Sequence, residues 1–283
     1  MAMPLLFVSD IDGSLLDEET YAYDAARPAL DAVAARGALL ALASSKTRPE
    51  VTRLVRLMRV RSPLIVENGG ALLIPPAVLC RPARGARWSG GYQVFRLGLP
   101  RRTMIAALEE IGAETGARIQ AFSSLSLTEI EGLTGLSRAG VRLARKREWD
   151  EPFLVDPEDA ERVAAAASQR GLTVTRGGRF HHLTGATDKG FALGLLLDLL
   201  AGEGRSYMTV GLGDSANDLP MLERVERPIL IPRPEGTVDA TLLARLPGAE
   251  RAPQPGPAGW NTAVLAVLAG TPGGRRRGPN VLP

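Results

Sequence analysis

Cysteine and long apolar runs are what this chain lacks. Its 283 residues include a single cysteine, Cys80, which excludes an intrachain disulfide framework and with it the class of small disulfide-stapled secreted domains. No apolar run reaches the length of a membrane span, and the N-terminus lacks the basic and then apolar layout of a signal peptide. We therefore expect a cytoplasmic protein with no membrane partner.

Lysine is also scarce. Only three of the 34 basic residues are lysines, Lys46, Lys146 and Lys189, so each raises the question whether a compact point charge is needed at its position.

The net charge of +3 comes from residues 271–283, which carry three arginines and no acid and whose composition predicts a disordered basic tail. The rest of the chain is neutral, and we expect no nucleic-acid partner.

The first predicted strand ends in a pair of acids. Residues 5–9 are apolar or small without polar alternation, which is typical of a strand buried on both faces of a parallel sheet. Asp10 and Asp12 follow, and Gly13 then allows the backbone to turn. In open α/β sheets the ligand crevice lies outside the carboxyl ends of the strands, so this pair is placed where chemistry is done, with both carboxylates on one side.

The wider pattern predicts two domains. Short apolar strands alternate with helices up to residue 83 and again over residues 187–270, which is typical of an α/β fold with a doubly wound, parallel, Rossmann-like sheet. Between these parts, half-exposed strands and short helices predict an α+β insertion. The predicted organisation is a core of residues 1–83 and 187–270, an α+β cap domain of residues 84–186, and the tail.

Reactive polar groups follow three predicted strands and begin one helix: Asp10 with Asp12, Ser44 with Ser45, Lys189, and Asp214 with Asn217 and Asp218. The pattern resembles the haloacid dehalogenase-like phosphohydrolases, whose DxDx[ST], strand-end Ser/Thr, lysine and GDxxND motifs are matched in order. Each motif alone has a plainer explanation, since Asp-x-Asp-Gly is common in turns, Asp214 can cap a helix, and Ser44 and Lys189 can be solvated side chains. Four matches in the same order favour the catalytic interpretation.

The resemblance implies a role for each matched residue. Asp10 would attack phosphorus and become an aspartyl-phosphate, while Asp12 would protonate the departing oxygen and later accept a proton from the hydrolytic water. Ser44 and Lys189 would hold the phosphoryl oxygens. The implied fold is the haloacid dehalogenase-like core with a cap that closes over the site and excludes water.

A divalent cation is predicted on physical grounds as well. If the carboxylates of Asp10, Asp12, Asp214 and Asp218 converge, each close pair costs about 4 kcal/mol at an effective dielectric constant near 20. A fold tolerates this only with raised pKa values or a cation, and Mg²⁺ is the hard ion that takes oxygen ligands and engages phosphate. We expect Mg²⁺ on the carboxylates of Asp10 and Asp214 and the backbone carbonyl of Asp12, with Asp218 and Asn217 acting through water.

Several stretches resemble the mannosyl-3-phosphoglycerate phosphatases of that family: residues 67–70, 146–153, 176–183 and 256–261, together with Ser44-Ser45-Lys46 where related sugar phosphatases have Thr-Gly-Arg. The resemblance implies a small phosphorylated sugar acid as substrate, most of all mannosyl-3-phosphoglycerate. Arginine forks suit its carboxylate, and Glu or Asn suit its sugar hydroxyls. The candidate substrate ligands are Gly13, Ser45, Glu67, Asn68, Gly69, Lys146, Glu151, Arg176, Gly177, Gly178 and Arg179.

Alternatives stay open at this stage. The fold also fits a phosphatase of another sugar phosphate, such as sucrose phosphate or a hexose phosphate. It fits a phosphomutase or a non-catalytic sugar-phosphate-binding regulator as well, although the pair of Asp10 and Asp12 weighs against the regulator.

His181 and His182 are adjacent in a predicted strand and face opposite sides, which favours packing or hydrogen-bonding roles over metal ligation. Trp149 and Trp260 can stack on a sugar or pack in the core.

Overall fold

A computed structural model describes residues 3–177 and 180–270, so the predicted tail and two of the candidate substrate ligands, Gly178 and Arg179, lie outside the described residues. The strands are β1 (Leu5–Asp10), β2 (Leu39–Ala43), β3 (Leu64–Val66), β4 (Ala71–Ile74), β5 (Arg87–Ser89), β6 (Tyr92–Arg96), β7 (Gln120–Ala121), β8 (Asp150–Leu154), β9 (Thr173–Gly177), β10 (Phe180–Thr184), β11 (Met208–Gly213), β12 (Arg227–Leu230) and β13 (Glu250–Arg251). The helices are α1 (Arg27–Arg36), α2 (Arg48–Met58), α3 (Arg101–Thr115), α4 (Leu127–Thr134), α5 (Arg138–Ala144), α6 (Ala160–Gln169), α7 (Lys189–Ala201), α8 (Leu219–Leu222), α9 (Ala240–Arg245) and α10 (Gly256–Gly270). Over these ranges, none of the helices has the length and apolar character needed to cross a membrane.

Nine of the described strands form the main sheet, in the order β13-β12-β11-β1-β2-β3-β4-β6-β5. The six strands from β13 to β3 are parallel, and β4, β6 and β5 extend the sheet in antiparallel fashion. Every residue of β1 is buried, because α1, α2 and α10 cover one face of the sheet and α7, α8 and α9 cover the other. The predicted doubly wound α/β core is confirmed, and the carboxyl ends of β1, β2 and β11 meet at one edge.

The insertion forms a separate antiparallel sheet in the order β7-β8-β10-β9, which confirms the predicted α+β cap. Helices α3 and α6 pack on one face of it through Phe153 and Leu183, and α4 and α5 pack on Phe180 from the other face. His181 stacks on Phe153 with ring centroids 5.5 Å apart, while His182 is bonded to Asp150. The two histidines therefore have the packing and hydrogen-bonding roles that were predicted.

The boundary between core and cap differs from the predicted residue 84. Strands β5 and β6 pair with each other and with β4, so they belong to the main sheet, and the inserted sheet and its helices lie between α3 and β10. The physical reason is that an antiparallel strand near the edge of the core sheet is half-exposed. Its alternating pattern is the same as that of a cap strand, and periodicity alone cannot separate the two.

The last helix fixes the strand that carries the first acids. Trp260 on α10 is fully buried, and its indole Nε1 donates a hydrogen bond of 2.8 Å to Ser9 Oγ. The Ser9 hydroxyl in turn donates to the backbone carbonyl of Asp10 at 2.6 Å. Asn261, the next residue of α10, accepts a hydrogen bond from the backbone N–H of Ala29 near the start of α1. Trp260 is thus packed in the core, where it supports the end of β1.

We expect Trp260→Phe to lower the free energy of unfolding by about 2 kcal/mol, because it removes a buried hydrogen bond and leaves a small cavity. Trp88→Phe is the matched control, since Trp88 lies on β5 with 57% of its surface exposed. Urea unfolding followed by far-UV circular dichroism measures both. Equal midpoints for the two variants would contradict the assignment of Trp260 as a support of β1.

Candidate active site

Three carboxylates gather where β1 and β11 end. Asp10 is the last residue of β1, Asp214 follows β11, and Asp218 lies in the short turn before α8. One carboxylate oxygen from each can be chosen so that all three lie within 4.8 Å of one another. The parallel register brings them together, because Val8 pairs with Gly211 and both strands end at the same edge. Such a set of hard oxygen donors suits a divalent cation.

Lys189 is buried between two of these acids. It is the first residue of α7, and its Nζ is 2.6 Å from Asp10 Oδ1 and 2.6 Å from Asp218 Oδ1. Burial alone would lower the pKa of the Lys189 ammonium, but the two carboxylates hold that pKa above its ordinary value. Lys189 therefore stays charged and fixes the orientation of Asp10.

One lysine does not neutralise three carboxylates. Burial, followed by the charge of Asp218, raises the pKa of Asp10 to about 8 in spite of Lys189. Burial, followed by the charges of Asp10 and Asp218, also raises the pKa of Asp214 well above its ordinary value. The cluster thus has an excess of negative charge, which a divalent cation would relieve.

Asp12 lies outside this carboxylate cluster. Its Oδ1 forms an ion pair of 2.9 Å with Lys46 Nζ, and its Oδ2 lies 3.5 Å from the buried hydroxyl of Ser44. About a third of the Asp12 side chain is exposed, whereas Asp10 is buried. Asp10 and Asp12 therefore have different surroundings, as the separate roles implied by the family resemblance require.

Gly13 has two reasons to be glycine. Its φ of 76° is left-handed, and a Cβ at this position would come 2.8 Å from Asp214 Oδ2. Ser14 Oγ lies 3.4 Å from the other oxygen of Asp214. The DxDx[ST] segment therefore folds back against Asp214, so a side chain at position 13 would displace one of the predicted metal ligands.

The segment 67–69 turns through three left-handed residues, Glu67, Asn68 and Gly69, with φ of 49°, 54° and 95°. A Cβ on Gly69 would lie 2.1 Å from the backbone carbonyl of Asp188, so this glycine allows α7 to approach. Asn68 is buried and accepts a hydrogen bond of 3.3 Å from Asn217 Nδ2, while its own Nδ2 is buried with no partner among the described residues. Asn68 and Asn217 are thus brought together, and the Asn68 amide N–H₂ group has no hydrogen-bond partner among the described residues.

Glu67 holds the cap rather than facing solvent. Its side chain is completely buried, and Oε2 accepts hydrogen bonds from the backbone N–H groups of Glu148, Trp149 and Asp150 at 2.8, 2.8 and 3.3 Å. Burial, followed by the nearby charge of Asp150, raises the pKa of Glu67 to about 8. The geometry favours a structural role for Glu67 at the junction of core and cap.

The other predicted cap ligands are distributed unevenly. Lys146 and Arg176 are exposed, and Gly177 at the end of β9 lies over the fourth motif, since a Cβ there would be 3.3 Å from Asn217 Nδ2. Glu151 is completely buried, and its two oxygens are bonded to Arg101 Nε at 2.5 Å and to the N–H of Ser123 at 2.6 Å. The geometry therefore favours a structural role for Glu151 inside the cap.

A hydrogen-bonded network that the sequence analysis did not single out joins the second motif to the cap. Arg147 Nη1 donates to the carbonyl oxygen of Ser45 at 2.9 Å and to Asp150 Oδ1 at 2.6 Å, and Asp150 Oδ2 is 2.8 Å from His182 Nδ1. Burial alone would raise the pKa of Asp150, but Arg147 and His182 hold it below its usual range. The sequence signal was the charge run at 145–148, in which nothing distinguishes Arg147 from its neighbours.

Known proteins are similar to this chain in sequence and in fold. A family model described as haloacid dehalogenase-like hydrolase matches residues 7–75. The chain is 35% identical over 268 residues to the glucosyl-3-phosphoglycerate/mannosyl-3-phosphoglycerate phosphatase of Methanococcoides burtonii, which covers 94% of this chain and 98% of that protein. The chain belongs to the haloacid dehalogenase-like hydrolases. Within them it is a phosphoric monoester hydrolase of the mannosyl-3-phosphoglycerate phosphatase type.

A second relative is similar in sequence, and a solved structure is similar in fold. The mannosyl-3-phosphoglycerate phosphatase of Pyrococcus furiosus is 35% identical over 225 residues, which cover 78% of this chain and 88% of that protein. Among solved structures, the phosphatase BT1666 of Bacteroides thetaiotaomicron aligns with a TM-score of 0.66 and 18% identity over 94% of this chain and 96% of that one. The latter likeness shows the shared fold of core and cap.

We expect Glu67→Ala to lower the free energy of unfolding by about 3 kcal/mol, because three N–H groups at the core–cap junction lose their acceptor. Glu67→Gln keeps an acceptor oxygen and should cost less than about 1 kcal/mol. Because the pKa of Glu67 is raised from 4.5 to about 8, its contribution to stability is lost as the pH rises through that interval.

The glutamine variant lacks this pH dependence. The difference in unfolding free energy between wild type and Glu67→Gln should therefore move in favour of the variant as the pH rises. Chemical denaturation of both variants across that pH interval measures the two effects, and an alanine variant as stable as wild type would contradict the role of Glu67.

Proposed function

We propose that this protein hydrolyses the phosphate ester of a glycosylated 3-phosphoglycerate, foremost mannosyl-3-phosphoglycerate, to the glycosylglycerate and inorganic phosphate. The observation that carries the proposal is the 35% identity over nearly the whole chain to relatives that bear this activity in their names. The carboxylate cluster at the sheet edge supports it, because it offers a nucleophile, a separate acid and a place for a cation.

The reaction proceeds in two displacements. An oxygen of Asp10 forms a bond to phosphorus while the bond from phosphorus to the glycerate oxygen breaks, and Asp12 gives its proton to that departing oxygen. Water then attacks phosphorus, Asp12 takes a proton from it, and phosphate and the free Asp10 carboxylate are released. Lys189 supports the role of Asp10 as the nucleophile. Its Nζ lies 2.6 Å from Asp10 Oδ1, so the carboxylate has a fixed orientation.

The donor set fits Mg²⁺. Asp10 and Asp214 would bind it through carboxylate oxygens and Asp12 through its backbone carbonyl. Asp218 would take an outer position, because one of its oxygens already accepts from Lys189 and the other from the N–H groups of Asp214 and Ser215. Asn217 is bonded through its amide to Asn68 and Ser215, which also suits a position outside the first ligands. When bound, the cation supplies charge neutralisation at the phosphoryl oxygens.

The part of the substrate beyond the phosphate would meet the cap. Asn68 is the best placed of the predicted sugar ligands, since its buried Nδ2 faces no partner among the described residues. Gly177 has no side chain that would crowd Asn217, which leaves space there for the substrate. Ser45 is part of the second motif, beside Ser44. Lys146 and Arg176, together with Gly178 and Arg179, stay predictions for this role. The buried Ser44 hydroxyl would donate to a phosphoryl oxygen.

Asp10→Asn should abolish phosphate release from mannosyl-3-phosphoglycerate, with kcat falling by at least about 10³-fold, because an amide cannot form the aspartyl-phosphate. Binding of the substrate, measured by calorimetry, should persist. Asp31→Asn, at an exposed position on α1, is the matched control and should keep full activity. Full activity of Asp10→Asn would exclude Asp10 as the nucleophile.

The substrate itself is tested by phosphate release from a panel of esters with Mg²⁺ present: mannosyl-3-phosphoglycerate, glucosyl-3-phosphoglycerate, 3-phosphoglycerate, sucrose 6-phosphate and mannose 6-phosphate. We expect fast turnover of the two glycosylated phosphoglycerates and slow turnover of the rest. Equal turnover of all five would remove the substrate assignment and keep the phosphatase.

Mg²⁺ should stabilise the protein more at high pH than at low pH. The cation binds ionised carboxylates, and the pKa of Asp10 is raised to about 8, so protons compete with the metal at lower pH. The increase in Tm on adding MgCl₂ should therefore be larger at about pH 8 than at about pH 5.5. Scanning fluorimetry of wild type and Asp214→Asn checks this; an increase that is equal at both pH values, or retained in Asp214→Asn, would contradict the site.

A further inference from the structure

Lys46 lies beside the proposed acid and takes part in none of the steps described above. Its Nζ is 2.9 Å from Asp12 Oδ1 and 4.8 Å from the centroid of the Tyr21 ring. Tyr21 has a left-handed φ of 57° in a turn whose neighbouring residue Thr20 bonds to Asp17, and its ring lies beneath the Lys46 ammonium. The Lys46 side chain is 17% exposed and the Asp12 side chain 30%, so both are partly accessible.

The other cations at the second motif and the cluster are already enclosed. Lys189 is buried between Asp10 and Asp218, and Arg147 is bonded to Asp150 and to the Ser45 carbonyl. Lys46 forms an ion pair with Asp12, Glu50 also lies close enough to help hold the pKa of Lys46 above its ordinary value against burial, and the ammonium has three N–H donors. It can therefore keep its contact with Asp12 and still donate to an anion in the crevice.

The chemistry of the proposed substrate places an anion at this point. Asp12 must lie within about 3 Å of the departing oxygen to protonate it, so this oxygen lies within about 6 Å of Lys46 Nζ if Asp12 Oδ1 carries the proton and within about 8 Å if Oδ2 carries it. In a 3-phosphoglycerate unit the carboxylate is only two carbon–carbon bonds from the carbon that bears this oxygen, roughly 3–4 Å away. The carboxylate of the leaving group is thus within reach of Lys46.

We infer that Lys46 binds the carboxylate of the leaving group and thereby selects phosphate esters of hydroxy acids over esters of neutral alcohols. This inference rests on the proposed function and adds to it the residue that reads the acid. The sequence predicted that arginines of the cap bind this carboxylate. The inference instead assigns the carboxylate to Lys46, a core residue next to the reacting bond. A compact ammonium suits the space between Asp12 and Tyr21, which explains a lysine in a chain that otherwise uses arginine.

The test compares two substrates that differ only in the carboxylate: mannosyl-3-phosphoglycerate and the analogue in which a primary alcohol replaces the carboxylate. Lys46→Met removes the charge and keeps the length of the side chain. We expect its kcat/KM to fall about 10- to 100-fold more on the carboxylated ester than on the alcohol analogue, mostly through KM. Lys46→Arg keeps the charge in a bulkier group and should retain part of the preference, more than Lys46→Met does.

Arg53→Met is the control for loss of a cation near the same helix, because Arg53 is exposed on α2, and it should leave the substrate preference of wild type unchanged. Equal losses of Lys46→Met on both esters would overturn the inference, since they would mean that Lys46 only orients Asp12. A different result would show that the proposed function is wrong: wild-type protein would cleave p-nitrophenyl phosphate but neither mannosyl-3-phosphoglycerate nor its alcohol analogue. Circular dichroism and Tm confirm that each variant is folded.

Discussion

Repulsion between carboxylates is the constraint on which the rest of this structure depends. The parallel sheet brings Asp10, Asp214 and Asp218 within 4.8 Å of one another, and a single buried lysine offsets part of their charge. The position of α7, which begins at Lys189, the left-handed Gly13 and the turn that holds Asp218 all serve to keep these groups in place. The remaining negative charge suits this sheet edge to the divalent cation proposed above.

The core site could be predicted from the sequence because its signal is local. Asp10, Ser44 and Asp214 each follow a continuous apolar run, and such runs indicate parallel strands whose ends meet at one edge. Lys189 is recognisable because lysine is rare in this chain. Family resemblance added the order and spacing of the motifs. The predicted fold class is confirmed, while the roles of the core residues stay predictions that their convergence at one sheet edge supports.

The cap contacts were harder to predict because they depend on partners far away in the chain. Glu67 looks like any polar residue after a strand, and only the fold shows that three N–H groups of the segment 148–150 surround its carboxylate. Glu151 stands in a stretch that looks like a binding loop, yet Arg101 and Ser123 occupy its oxygens. A charged residue of a binding segment can satisfy its own chain or a ligand, and spacing alone does not separate the two.

The pairing of β1 with β11 has a consequence for synthesis of the chain. Leu5 pairs with Met208, so one edge of the central strand stays without its partner until more than two hundred residues have been made. The insertion between α3 and β10 is contiguous and builds its own sheet, and it can therefore fold first. Long-range parallel pairing is slow and leaves an apolar strand edge exposed during translation. The topology that assembles the active site last therefore leaves an apolar edge of β1 unpaired until β11 has been made.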